Sequence, residues 1–120
     1  MQHPESQLQR ACVKWFTMQF PSIRPLFFAV GNGGKRNRIE AAIMKGEGVT
    51  AGVADVLLLL PNNRYHGLCI EFKTATGRQS EAQRTFQQKV TNAGYRYVII
   101  RTVEEFVEEV KNYIYTADTY

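Results

Sequence analysis

A chain of 120 residues, 44% hydrophobic and 22% charged, is long enough for one globular core, and no apolar run in it approaches the ~18 residues that cross a bilayer. The net charge of +4 hides an asymmetry: up to Thr102 there are fourteen Lys/Arg against six Asp/Glu, and from Val103 onward one against five. Membrane insertion is not expected, and the basic body favours a polyanionic partner over a merely solvated basic surface.

The first helix is expected to open at Pro4 or Glu5, where proline is tolerated, and Leu8, Cys12, Trp15, Phe16 and Gln19 then recur at helical spacing until Pro21. After the loop PSIRP, Leu26 to Val30 reads as a short buried strand, broken by the glycine-rich Gly31 to Gly34. KRNRIEAAIMK reads as a short basic helix. Val53 to Leu60 is almost wholly apolar, as in a strand buried on both faces, and Pro61-Asn62-Asn63 stops it. Gly67 to Thr74 is its expected hairpin partner. Ser80 to Gln83 matches a capping box that starts a helix ending near Ala93, with Gly94 as its stop. Tyr95 to Arg101 is a further buried strand, and a second capping box, Thr102 to Glu105, opens a final amphipathic helix carrying Phe106, Val107, Val110 and Ile114. The order predicts an α/β layer sandwich with a parallel strand pair late in the chain, in one domain over 1–120 with a frayed tail at 116–120.

Within GLCIEFKT, Leu68, Ile70 and Phe72 fall on one face of a strand while Cys69, Glu71 and Lys73 fall on the other. Glu71 and Lys73 then project together, which by itself fits a surface ion pair as well as a site. Asp55 shifts the balance, because a carboxylate at the head of the most apolar strand costs several kcal/mol to bury without a partner. If the two strands pair, Asp55 and Glu71 lie near one end of the sheet and offer hard oxygen ligands suited to Mg²⁺ or Mn²⁺. Lys73 would orient an attacking water or meet charge developing on a phosphate. Glu5 extends the stripe of the first helix toward the sheet, so it reads either as a further ligand or as an acid placed well in a helix's first turn. Gln83 shares a helix face with Phe86 and Val90, which points it toward the site, but spacing alone slightly favours its role in the capping box. Lys35, Arg36 and Arg38, behind a glycine-rich turn, are the expected grip on a phosphate backbone, with Arg78, Arg84 and Lys89 as weaker candidates. The N-terminal MQHPESQLQR has no basic-then-apolar leader pattern, and Cys12 and Cys69 sit in apolar stretches rather than at paired spacing; a cytoplasmic location with structural thiols is expected.

Taken together, GVADVLLL, then IEFK, then SEAQ resembles the VRR-NUC (virus-type replication-repair nuclease) family of the PD-(D/E)XK superfamily, over most of the chain from Glu5 through Gly52 and Asp55 to the strand at Tyr95 to Arg101. The resemblance implies a restriction-endonuclease-like core with a mixed central sheet flanked by helices. It also implies a Mg²⁺ or Mn²⁺ ion held by Asp55, Glu71 and the backbone carbonyl of Phe72, with Glu5 and Gln83 completing the catalytic set around Lys73. Small phage or bacterial members of the family resemble Holliday-junction resolvases and act as homodimers, which sets the expectation of a homodimeric endonuclease cutting branched DNA. The rivals are a catalytically inert DNA-binding module of the same fold and a sequence-specific restriction-type endonuclease. One departure is visible: Ala54 stands where the family often has proline, a change in local rigidity rather than in ligands.

Overall fold

Pro4 occupies the first turn of helix α1 (Pro4–Gln19), with Glu5 beside it at the positive end of the helix dipole. The computed structural model describes residues 3–31 and 37–116. The predicted stripe of α1 holds at Leu8, Cys12, Trp15 and Phe16, of which Cys12 and Phe16 are fully buried, but Gln19 is exposed. The loop expected after it is a 3-10 turn, Pro21–Leu26, so strand β1 is only Phe27–Ala29. Phe27 stacks on Phe16 with ring centroids 4.0 Å apart, which fixes the strand against α1.

Helix α2 (Arg38–Gly46) is capped by Asn37, whose side chain accepts from the Glu40 N–H at 2.8 Å. None of its residues is buried; Ile39 and Ile43 are 72% and 56% exposed. Strand β2 is Val56–Leu58, five residues shorter than the apolar run suggests, because the chain bends at Asp55. It pairs antiparallel with both β1 and β3 (Leu68–Phe72), as the hairpin reading requires. The connection between them is organised by Asn62, whose Oδ1 accepts from the N–H groups of Arg64 and Tyr65 and whose amide donates to the Tyr113 carbonyl.

Helix α3 (Glu81–Asn92) starts with the predicted reciprocal capping box of Ser80 and Gln83 and ends at Gly94, which has φ +98°. It carries the chain across to β4 (Arg96–Ile100), which lies parallel to β3. Helix α4 (Val103–Thr116) begins with the second capping box, Thr102 and Glu105. The sheet order is β1-β2-β3-β4.

One sheet face carries Val56, Leu58, Leu68, Ile70, Phe72, Val98 and Ile100 into a core closed by Cys12 and Phe16 of α1 and by Phe106, Val110 and Tyr113 of α4. Each large apolar side chain buried there contributes roughly 1.5–3 kcal/mol. The other face is covered unevenly. Helix α3 packs on β4, with Phe86 edge-on to Tyr97, whereas Phe28 on β1 and Leu59 after β2 are 38% and 50% exposed. The run Val53 to Leu60 is therefore buried on one face and half open on the other, while every residue of β3 is buried.

Candidate active site

Asp55 sits at the bend where the β2 ladder becomes irregular. Its carbonyl accepts from the Val30 N–H at 2.9 Å, its own N–H donates to the Ile70 carbonyl at 3.0 Å, and its Oδ2 accepts from the Phe72 N–H at 2.7 Å. The side chain thus takes the place of a backbone acceptor, which aims the carboxylate along the end of β3. Burial pushes the Asp55 carboxyl above its ordinary range; the Phe72 N–H offsets part of this, Glu71 and Glu5 push it further up, and Lys73 pulls it down. Four charged groups named from sequence therefore act on one another electrostatically.

Glu71 is completely buried, and its two oxygens have different surroundings. Oε1 accepts from the Tyr97 hydroxyl and from the Gln79 amide at 3.0 Å; the same Gln79 nitrogen donates to Gln87 Oε1 at 2.8 Å. Oε2 has no hydrogen-bond partner and faces the Lys73 ammonium at 3.5 Å. Burial, then the Glu71 carboxylate, raises the Tyr97 hydroxyl, which keeps it protonated as a donor. Lys73 continues the β3–β4 ladder, its N–H donating to the Ile100 carbonyl at 3.0 Å. The loop after it is held by Arg101, whose guanidinium donates to the carbonyls of Thr74 and Gly77 at 2.6 and 2.8 Å.

Glu5 is exposed rather than packed on the sheet, but it lines a cleft together with His3, Asp55, Phe72 and Thr74. Gln83 closes the capping box, its Oε1 accepting from the Ser80 N–H at 2.8 Å, and the glutamine that donates to Glu71 is Gln79. Tyr97, Gln79 and Gln87 are the residues the sequence reading missed. Tyr97 had a signal, since strand alternation puts it on one face with Ile99; Gln79 and Gln87 had none. Arg38, Arg78, Arg84 and Lys89 are all exposed, and Arg84 also donates to the Gln79 carbonyl at 2.9 Å. Lys35 and Arg36 lie outside the described residues. Cys12 and Cys69 are free and buried, and burial raises their thiols to about 12 and about 11, with Glu104 adding to the rise at Cys12.

A buried carboxylate oxygen without a donor costs roughly 1–3 kcal/mol or more, and native structures seldom leave one so. A cation beside Glu71 Oε2 would remove that cost, and it would also favour the ionised form of Asp55. Among the described residues no group of three or more His, Cys, Asp or Glu side chains is assembled for a metal. Two carboxylates and the Phe72 carbonyl are nevertheless sufficient for a small hard cation that keeps water in its remaining positions, so the donor set fits Mg²⁺ or Mn²⁺.

Comparison with known proteins bears on the family and the fold. The sequence profile of the VRR-NUC domain matches residues 3–104. A solved structure described as a VRR_NUC domain protein superposes with a TM-score of 0.81 at 23% identity, over 95% of this chain and 90% of the other, which speaks for the fold. No curated protein matches the sequence. No helix among the described residues is long and apolar enough to cross a membrane. The profile match spans most of the chain, and the four-stranded mixed sheet with its flanking helices fits the nuclease-like core of that structure; the chain belongs to the VRR-NUC family.

Proposed function

We propose that the protein is a cytoplasmic, metal-dependent DNA endonuclease that hydrolyses phosphodiester bonds with Mg²⁺ or Mn²⁺, acting as a homodimer on branched DNA such as four-way junctions. The observation that carries the reading is the buried Glu71 Oε2, which has no hydrogen-bond donor and faces only the Lys73 ammonium at 3.5 Å, with both groups acting electrostatically on Asp55.

Asp55, Glu71 Oε2 and the Phe72 carbonyl would hold the cation, with Glu5 across the cleft reaching it directly or through water. A divalent cation there supplies Lewis-acid polarisation of a phosphoryl oxygen and eases deprotonation of water. The chain's own residues do the rest. Lys73, anchored at the end of the β3–β4 ladder, keeps its ammonium at the carboxylate pair, where it can orient the attacking water or meet charge on the phosphate. Tyr97 and Gln79 keep Glu71 from swinging away. Arg38, Arg78 and Arg84, with Lys35 and Arg36, supply positive charge for the sugar-phosphate backbone. Self-association is supported by the open apolar side chains Phe28 and Leu59 on the β1–β2 face and Ile39 and Ile43 on α2. A two-fold dimer also suits two-fold branched DNA.

The test is cleavage of labelled four-way junction, flap and linear duplex by wild type and Lys73→Ala, each with Mg²⁺, Mn²⁺ or EDTA. Metal-dependent cutting by wild type alone, with preference for the junction, is the expected result. DNA binding without any cutting would replace the proposal with an inert binding module, and sequence-specific cuts in linear duplex would replace it with a restriction-type enzyme. Solution mass with and without DNA tests the dimer, and a monomer in both removes that part.

A further inference from the structure

The asymmetry of Glu71 has a use of its own. Both acceptor directions of Oε1 are filled, by the Tyr97 hydroxyl and the Gln79 amide, while Oε2 is buried without a hydrogen-bond donor and faces only the Lys73 ammonium at 3.5 Å. The two donors are themselves fixed: the Tyr97 ring sits edge-on to Phe86, the Gln79 amide also donates to Gln87, and the Gln79 carbonyl takes the Arg84 guanidinium. A carboxylate serving only to hold the fold together would have donors at both oxygens. Here one oxygen is fastened and the other reserved.

We propose that Tyr97 and Gln79 are positioning residues that restrict Glu71 to offering a single oxygen, and that this selects Mg²⁺ or Mn²⁺ over Ca²⁺. The inference rests on the metal-dependent reading of the site given above. Ca²⁺ takes more oxygen ligands and is commonly held through both oxygens of a carboxylate, whereas the smaller ions take few protein ligands and keep waters. Turning Glu71 to present both oxygens would break two hydrogen bonds to an ionised group in a water-poor interior, where such bonds are strongest. The penalty falls on Ca²⁺ alone, because an ion content with Oε2 leaves the clamp intact. Selectivity would then come from two residues that never touch the ion.

Calorimetric titration of the full chain with Mn²⁺ and with Ca²⁺, without DNA, measures both affinities for wild type, Tyr97→Phe and Tyr97→Phe/Gln79→Leu. Phenylalanine keeps the ring packing and leucine keeps most of the side-chain volume. The expected result is that Kd(Ca²⁺)/Kd(Mn²⁺) falls about tenfold in the double variant, and about threefold in Tyr97→Phe, as Glu71 becomes free to offer both oxygens. A purely structural role would weaken both ions alike and leave the ratio unmoved, so an unchanged ratio in variants that melt cooperatively would overturn the clamp while the metal reading stands. Wild type binding neither ion would overturn the metal reading and the clamp with it. Should the double variant fail to fold, the ratio in Tyr97→Phe decides by the same criterion.

Discussion

Gly52 is the position where one added methyl group should do most harm. Its φ of +83° lies where L side chains are strained, and a Cβ there would stand 2.5 Å from the Ala82 carbonyl carbon and 2.6 Å from its oxygen. Both atoms belong to the first turn of α3, so relief requires moving the helix start and not merely rotating a side chain. Gly48 supplies the control: its φ is +98°, and nothing lies within 4 Å of an added Cβ. The left-handed backbone costs an L residue about 1–2 kcal/mol, and replacing glycine by alanine returns about 0.4–1 kcal/mol through the unfolded chain. Gly48→Ala should therefore lose about 1 kcal/mol or less. Gly52→Ala adds overpacking against backbone, about 1–3 kcal/mol more. For a chain of this size, 1 kcal/mol moves the melting temperature by roughly 3–6 °C, so the two variants should differ by about 5–15 °C. Urea unfolding monitored by circular dichroism measures both, with equal m-values as the check on two-state behaviour. Equal losses in the two variants would refute the reasoning, because they would mean that α3 does not press on Gly52. Because Gln79 stands just before that turn, Gly52→Ala should also lower Kd(Ca²⁺)/Kd(Mn²⁺), whereas Gly48→Ala should leave it unmoved.

Asp55→Asn should stabilise the metal-free protein at pH 7 by about 1 kcal/mol, read as a higher melting temperature in EDTA, since the amide can still accept from Phe72 N–H without a buried charge. The folded Asp55 carboxyl lies above its unfolded value, so the folded state holds the extra proton between the two, and stability falls as pH rises through that interval. The advantage of asparagine is then full above the folded-state value and fades on acidification toward the unfolded value; a pH-independent difference would contradict it. Lys73→Ala should cut DNA at least about a hundredfold more slowly in single-turnover assays while binding it within a few-fold, and loss of the folded circular-dichroism spectrum would void that interpretation. Arg78→Ala and Arg84→Ala should each lower the salt dependence of DNA binding by about one unit of slope, whatever the DNA sequence; an unchanged slope would remove that residue from the backbone contact.

The parts of this fold that could be read from sequence are those governed by local rules. Alternation in GLCIEFKT placed Glu71 and Lys73 on one face because Leu68, Ile70 and Phe72 had to take the other, and the core bears this out. The capping boxes at Ser80 and Thr102 are likewise contained in four residues each. What escaped depended on non-local register. Tyr97 reaches Glu71 because β4 lies parallel to β3 with Tyr97 opposite Cys69, an offset no single segment encodes. Gln79 lies just before α3, outside any periodic element, and approaches Glu71 only once α3 is docked. Gln83, by contrast, makes the bond to Ser80 that four residues of sequence already encode. The length of β2 was misjudged for a related reason: apolar composition cannot reveal that the Asp55 side chain replaces a backbone acceptor and bends the strand there.

The placement of charge links this local structure to the proposed chemistry. Glu5, Asp55 and Glu71 set three carboxylates against one ammonium, Lys73, within a body that is otherwise strongly basic. Without a cation, that end of the sheet repels a phosphate which the surrounding arginines attract. On the proposed reading a divalent ion would neutralise the excess of two negative charges and lift that repulsion. Cation and backbone phosphate would then favour each other's binding, since coupling between two ligands is reciprocal. What keeps such a costly arrangement from relaxing is the back of β3: Leu68, Ile70 and Phe72 are locked into the core between α1 and α4, so Glu71 cannot leave its buried position without giving up that packing. The apolar face thus holds the acidic one in place, and on the proposed reading a bound cation would offset the missing hydrogen bond at Oε2.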